Sequence, residues 1–444
     1  MAIDHLVRSG MVLKTSHALM DASRCLGCHD APCSQACPVG LDVPGFIRRL
    51  HDGNLQGAGA LIYQSCPLGA TCGMACPTGM LCEGACVLQK AGQQAVHIGA
   101  LQTTVALNYK GVESAKLIEK PARVAVIGAG PAGLGCAVAL RRHGHQVDLF
   151  DRQDQLAGLV DRVIPAYRLP AEIVAHDLQV LSGLKMNFFP GREITHREFE
   201  TLRESYDAVF LGVGMSDTQK VDFPGSEAAG VLDALDFLHQ ARLHTREQAE
   251  KPDLGETVVI LGGGNVALDA AVVAKRSGTA EVVVIYRRSK QEMPGWDSEY
   301  LEAARLGVEF RWLTTIAAVE QKDGKVSAVL IQKMRFVNET RGGRRWVEAD
   351  PDLPPTRVPC QTVILALGQV VERDWLVDLG LKLTPTGIPV VDPETRQTSL
   401  PKVFAGGELV NGGSTIVNSL HQGMQAGESM NVMMSGKGGW HGKS

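Results

Sequence analysis

The 444-residue sequence contains no apolar run near the ~18 residues a membrane-spanning helix requires, so no membrane partner is expected. Its first residues, MAIDHLVRSGMVLKTSH, lack the apolar stretch of a secretory signal, which makes the cytoplasm the expected compartment. Charge of either sign is not in excess: 44 Lys and Arg stand against 48 Asp and Glu, leaving no basic footprint for nucleic acid. Among 13 histidines there is no H-E-x-x-H, and no G-x-S-x-G elbow occurs, so neither zinc hydrolysis nor serine chemistry is indicated. No catalytic nucleophile or acid–base side chain is therefore named. What remains is ordinary globular composition, 45% hydrophobic and 21% charged, on a chain too long for one core. Two abundances stand against these absences: 49 glycines, and 11 cysteines of which nine fall between Cys25 and Cys86.

Those nine form two groups. The first is Cys25-x2-Cys28-x4-Cys33-x3-Cys37-Pro38; the second is Cys66, Cys72, Cys76-Pro77, Cys82 and Cys86. Disulfides need an oxidising compartment and an even count. Structural zinc favours two separated C-x2-C pairs, and only one is present. Iron–sulfur ligation fits better: bacterial two-cluster ferredoxins run three close cysteines and then a fourth followed by proline. Here the middle gap is two residues longer, but Cys33-x3-Cys37-Pro38 keeps the ending. Residues 43–63, apolar at helical spacing, predict small helices bracketing the cysteine loops. Cys136 and Cys360 read as buried small hydrophobes.

Further along, RVAVIGAG runs a β-branched strand into a glycine turn, PAGLGCAVALRRHG continues with helical period, and QVDLFD is a second strand. Gly128, Gly130 and Gly133 occupy the dinucleotide fingerprint, and Asp151 stands where a carboxylate accepts from a ribose hydroxyl. The pattern recurs in TVVILGGGNVALDAAVVAKRSG, with Gly262, Gly264 and Ala267 in the same positions and EVVVIYRRS as the second strand. There Arg287 and Arg288 replace the acid; guanidinium groups at that place accommodate a 2′-phosphate and favour NADPH. A solvated basic turn is the other reading. YDAVFLGVG and TVILALG, the latter ending at Gly368, close the two units in like manner. Two dinucleotide sites on one chain predict a flavin at one and a nicotinamide at the other. The stretch KVFAGGELVNGGSTIVNSLHQGMQAGESM, with Gly407 and Glu408 at its turn, predicts a return to the flavin fold.

These segments carry a family resemblance. ASRCLGCHDAPCSQACPVGLDVPGFI, PLGATCGMACPTGMLCEGAC and HIGALQ resemble the N-terminal cluster domain of dihydropyrimidine dehydrogenase, as do VAVIGAGPAGL, IPAYRLP, VVILGGGNVALD and VFAGGELV in the segments that follow. More broadly the chain is similar to the glutamate synthase small-subunit superfamily. The resemblance implies FAD, two 4Fe–4S clusters and NADPH or NADH. It assigns one cluster to Cys25, Cys28, Cys33 and Cys86, and the other to Cys37, Cys76, Cys82 and Gln102; spacing leaves Cys72 or Cys66 as alternatives to Gln102. It places FAD on Gly128, Gly130, Pro131, Ala132, Gly133, Asp151, Gly158, Leu159, Arg168, Gly407 and Glu408. The nicotinamide nucleotide falls to Gly262, Gly264, Asn265, Val266, Ala267, Arg287, Arg288 and Gly368. Two positions depart from the family pattern: Ala157-Gly158 for Gly-Gly, and Glu408 for Asp.

The expected architecture is an α-helical iron–sulfur domain (1–118) followed by an α/β flavoprotein with two Rossmann-like domains. The FAD domain (119–250 and 370–432) is discontinuous, the NAD(P)H domain spans 251–369, and 433–444 is a flexible tail. No FMN-barrel segment follows, so the resemblance implies the electron-input subunit of a two-subunit dihydropyrimidine dehydrogenase with an FMN and iron–sulfur partner subunit. A glutamate synthase small subunit or another reductase's donor is the alternative. A non-catalytic cluster-bearing scaffold or redox sensor is the alternative of another class.

Overall fold

The computed structural model describes residues 4–8, 11–111, 120–215, 217–219, 221–341 and 344–436. They divide between two compact units, one of 1–161, 167–216 and 371–444, the other of 162–166 and 217–370.

The head of the first unit is helical: α1 (Thr15–Ala22), α2 (Val43–His51), α3 (Leu55–Ser65), α4 (Gly69–Ala75) and α5 (Ile98–Leu107). Local chemistry starts two of them. The Asp42 carboxylate accepts from Gly45 N at 2.9 Å, and the Asn54 side chain accepts from Gly57 N at 2.8 Å, each meeting an otherwise orphaned helix amide. Phe46, Ile47 and Leu50 of α2 pack with Ile62, Ile98 and Leu101 into a small core, and Cys25, Cys33, Cys37, Cys82 and Cys86 lie against its edge.

Next comes a parallel sheet. β1 (Arg123–Ile127), α6 (Pro131–Arg142), β2 (Gln146–Phe150), α7 (Ala171–Ser182), β3 (Asn187–Phe189) and β4 (Ala208–Leu211) follow one another. β1 and β4 are apolar along nearly their whole length because both faces are covered, as parallel strands require.

The second unit holds β5 (Val231–Asp233), α8 (Ala234–Thr245), β6 (Thr257–Leu261), α9 (Asn265–Arg276), β7 (Glu281–Tyr286) and β8 (Glu309–Trp312). An antiparallel insertion follows, of β9 (Thr314–Lys322), β10 (Lys325–Arg341), β11 (Arg344–Ala349) and β12 (Thr356–Pro359), before β13 (Thr362–Leu365). The parallel order is β5-β13-β6-β7-β8. Ile316, Val329 and Ile331 of the insertion share a core with Val259 and Ile285 of that sheet. The division differs from the sequence reading at three places: residues 162–166, 217–250 and 370 lie in this unit. β5 pairs in parallel with β13, a partner more than a hundred residues away that periodicity does not reveal.

The chain then returns to the first unit. β14 (Val403–Ala405) joins β4 at the sheet edge, giving the order β14-β4-β1-β2-β3, and α10 (Ile416–Ser435) lies along α6. α10 continues through 433–435, where a flexible tail was expected, and ends at Gly436 in the left-handed conformation; residues 437–444 lie outside the described residues. The two helices approach through small residues. A Cβ on Gly423 would stand 1.8 Å from the Ala132 carbonyl oxygen, and one on Gly427 2.8 Å from the Ala139 Cβ. Since Ala132 O is backbone at the start of α6, Gly423→Ala is expected to cost about 1–3 kcal/mol in chemical denaturation and to weaken FAD retention. Unchanged stability would contradict this packing. Among the described residues no helix is long and apolar enough to cross a membrane.

Candidate cluster and dinucleotide sites

The cysteine loops enclose two cavities. Cys25, Cys28, Cys33 and Cys86 line one, walled by Ile47 and Ile98. Cys37, Cys66, Cys72, Cys76, Cys82 and Gln102 line another, where Val417 of α10 also contributes. In the second, the Cys72 thiol hydrogen-bonds with those of Cys66 and Cys76, yet among the described residues no three His, Cys, Asp or Glu groups converge on a single metal ion. A polynuclear cluster fits such a ring where one zinc ion does not.

Burial pushes the Cys33 thiol up to about 11 and raises Cys25, Cys37 and Cys82 as well. Backbone amides pull against it, Ser34 N–H at Cys33 and those of Leu41 and Val39 at Cys37. Thiolates there need compensating positive charge, so cluster assembly and proton release are linked. Gln102 is buried, and its Nε2 donates to the Gly69 carbonyl at 2.8 Å. That bond commits the amide's donor to the protein and leaves the oxygen as the group with coordinating capacity.

A residue that sequence reading missed supports the second cavity. Asp177 of α7 is fully buried and accepts from Tyr63 Oη at 2.6 Å, Ala70 N at 3.0 Å and Thr71 N at 2.7 Å. It ties the flavin-fold helix α7 to the first turn of α4, the helix that carries Cys72 and leads into Cys76. Burial pushes its pKa up, and these donors pull it back. The signal was available: Ile173, Asp177 and Leu181 share the buried face of α7 at four-residue spacing, so an acid occupies a core position.

At the first glycine turn, Gly128 has φ +100°, and a Cβ would lie 2.4 Å from the Gly212 carbonyl oxygen. Gly130 caps α6 without a side-chain bond, and Pro131 begins the helix, so the amides of Ala132 and Gly133 face the turn unclaimed by a side chain. Asp151 closes the turn from β2: its Oδ2 accepts from Ala129 N at 2.6 Å and its Oδ1 from Gln153 N at 2.8 Å. Ala157 N donates to the Ala129 carbonyl at 2.9 Å, and Gly158, just before Leu159, packs 3.1 Å from Gly130 Cα when measured from a built Cβ. Ala157 holds φ +74°, a conformation that glycine adopts at lower cost than alanine. Gly407 approaches Ala132 from the far side, and Glu408 beside it has its carboxyl pushed up by burial while accepting from the Ser414 amide. Arg168 is half-buried in the segment entering α7.

The second turn repeats this geometry. A Cβ on Gly262 would lie 2.3 Å from the Ala366 carbonyl, and Gly264 caps α9 without a side chain. Asn265 and Val266 begin α9, and Ala267 is fully buried. Asn265 Oδ1 accepts from Trp296 N at 2.8 Å, and Gly295 N donates to the Gly263 carbonyl at 3.0 Å. The loop 293–296 thus folds over the turn, a contact absent from the fingerprint. Arg287 is exposed and Arg288 buried at the end of β7, while Gly368 is exposed after β13.

Two glycine-turn nucleotide folds, preceded in the chain by a cysteine-ringed helical head, define a flavin- and pyridine-nucleotide-dependent oxidoreductase with iron–sulfur chemistry. Comparison with known proteins agrees: the chain belongs to the pyridine nucleotide-disulphide oxidoreductase family, whose sequence profile matches residues 82–221 and 122–423. Residues 6–112 match the profile described as dihydropyrimidine dehydrogenase domain II, 4Fe-4S cluster. The glutamate synthase [NADPH] small chain of Halomonas elongata is 34% identical over 94% of this chain and 91% of its own length. The NADP(+)-dependent formate dehydrogenase subunit beta of Moorella thermoacetica is 31% identical over 90% of this chain and 59% of its own. In fold, Mycobacterium tuberculosis FprA in complex with NADPH superposes with TM-score 0.59 at 20% identity, over 71% of this chain and 86% of that one. The chain is an NAD(P)H-dependent oxidoreductase that uses FAD and 4Fe–4S chemistry.

Proposed function

We propose that this chain is the electron-input subunit of a two-subunit dihydropyrimidine dehydrogenase, working with a partner that carries FMN and interconverts uracil or thymine with their 5,6-dihydro forms. Bound FAD supplies the conversion of a two-electron hydride from NAD(P)H into single electrons. The chain's own groups do the holding. The α6 amides and Asp151 take the pyrophosphate and ribose of FAD; the α9 amides take those of the nicotinamide nucleotide, with Arg287 and Arg288 inclining the choice to NADPH. Cys25, Cys28, Cys33 and Cys86 hold one cluster, and Cys37, Cys76, Cys82 and Gln102 the other.

The observation that carries the pyrimidine assignment is Gln102. It lines the second cysteine cavity with its amide donor spent on Gly69, and HIGALQ is the segment that resembles the pyrimidine enzymes. A second reading, the small subunit of a glutamate synthase, is favoured by the 34% identity that spans 91% of such a chain. Both readings include a partner, as the relatives named small chain and subunit beta suggest. Anaerobic co-purification from native extract with mass spectrometry decides between them. A stoichiometric FMN-barrel protein with ferredoxin-type cysteines is the expected companion, with uracil- or thymine-dependent turnover. A glutamate synthase large chain in its place would overturn the pyrimidine reading.

A further inference from the structure

Arg288 is only 7% exposed, yet to the described residues its guanidinium makes a single long hydrogen bond, Nε to the Arg345 carbonyl oxygen at 3.4 Å. No carboxylate among the described residues pairs with it. A desolvated cation left this way lacks a counter-ion.

The carbonyl it touches belongs to β11, which brings a further arginine to the same corner. Arg345 Nε donates to Glu292 Oε1 at 3.0 Å, and its guanidinium lies 3.9 Å from the Phe336 ring centroid. The other Glu292 oxygen is occupied by Ser289 N and Oγ, at 3.3 and 3.0 Å. Glu292 therefore fixes the Arg345 fork through one nitrogen, and its negative charge is already matched. The terminal Nη atoms of Arg345 make no hydrogen bond to the described residues, and exposed Arg287 has no ion pair among them. With Arg287 next to it in the chain and its own side chain on the backbone of Arg345, Arg288 belongs to an arginine-rich strand end that an anion would neutralise. The corner lies beside the second glycine turn: the Tyr286 ring would meet a Cβ on Gly263 at 2.5 Å, and Tyr286 Oη donates to the Glu292 carbonyl at 3.0 Å. In a dinucleotide fold the adenosine ribose sits at this strand end.

We propose that Arg345 is a specificity-determining residue: with Arg288, it binds the phosphate monoester on the 2′ position of the adenosine ribose, while Glu292 positions its fork. This deepens, and rests on, the reading of the second unit as the NAD(P)H site. Sequence motifs could not supply it, because Arg345 lies 57 residues past Arg288 on an inserted strand.

The test is calorimetric binding of 2′,5′-ADP and 5′-ADP to the purified full-length holoprotein. Wild type is expected to prefer 2′,5′-ADP. Arg345→Ala should lose about 10- to 100-fold of 2′,5′-ADP affinity, the range for a charge-assisted hydrogen bond, with 5′-ADP unchanged. Arg345→Lys, which keeps charge but not the fork, should fall between. If Arg345→Ala retains the wild-type preference, or loses both ligands equally, the proposal falls and the site reading stands. If wild type shows no preference, the NADPH assignment falls with it. If wild type binds neither ligand, the nucleotide reading of the unit fails first.

Discussion

Asp177→Ala is expected to destabilise the first unit by about 3 kcal/mol or more, since it leaves three buried donors without an acceptor at about 1–3 kcal/mol each, incompletely additive. The donors are Tyr63 Oη and the amides of Ala70 and Thr71, and all three lie in buried surroundings. Because the entire charge is removed, no unpaired ion remains to add to the loss. Asp177→Asn should cost less: its oxygen keeps one set of donors, while its amide presents hydrogens to the other. Tyr63→Phe reduces the number of orphaned donors, so the double variant with Asp177→Ala should be more stable than the sum of the single losses implies. Chemical denaturation measures all of these. Iron content gives the second readout, because the disturbed turn begins the helix leading to Cys76. A loss below about 1 kcal/mol for Asp177→Ala would show that the carboxylate is no brace between the flavin fold and the second cavity.

Cys82→Ala should remove one cluster and leave the other, taking iron from about eight to about four per chain. Cys82 lines the second cavity only, and the first is bounded by its own four thiols. The residual absorbance and the reduced-state paramagnetic signal should then belong to the first site alone. The same measurement separates Gln102 from its neighbours. Cys72→Ala and Cys66→Ala should keep both clusters, whereas Gln102→Ala should lower the occupancy of the second. If Cys72→Ala halves the iron while Gln102→Ala spares it, Cys72 is the fourth ligand. Loss of all iron from Cys82→Ala would mean that the two sites do not assemble independently.

The chemistry written in short stretches was legible from sequence. A strand that runs into Gly128 or Gly262 and then a helix is dictated within about a dozen residues by β-branched apolar runs and by turns where a Cβ would strike backbone. The cysteine runs announced iron–sulfur ligation for the same reason, since Cys33-x3-Cys37-Pro38 keeps the ferredoxin ending although the middle gap is two residues longer. The Arg287–Arg288 pair at the end of a second strand is equally local.

Contacts between distant segments were decided by tertiary structure. Gathering Cys86 with Cys25, Cys28 and Cys33, and Cys37 with Cys76 and Cys82, interleaves the two groups, and α2 and α5 must pack before that is possible. Spacing offers several groupings, and the resemblance alone chose one. The place of residues 217–250 depends on β5 finding β13, and Arg345 reaches Arg288 through an inserted antiparallel sheet. Asp177 shows the boundary between the two kinds of information. Its position on the buried face of α7 is written in a four-residue period, but its partners on α3 and α4 lie more than a hundred residues earlier. Local pattern determines which face a residue occupies; only packing determines what that face meets.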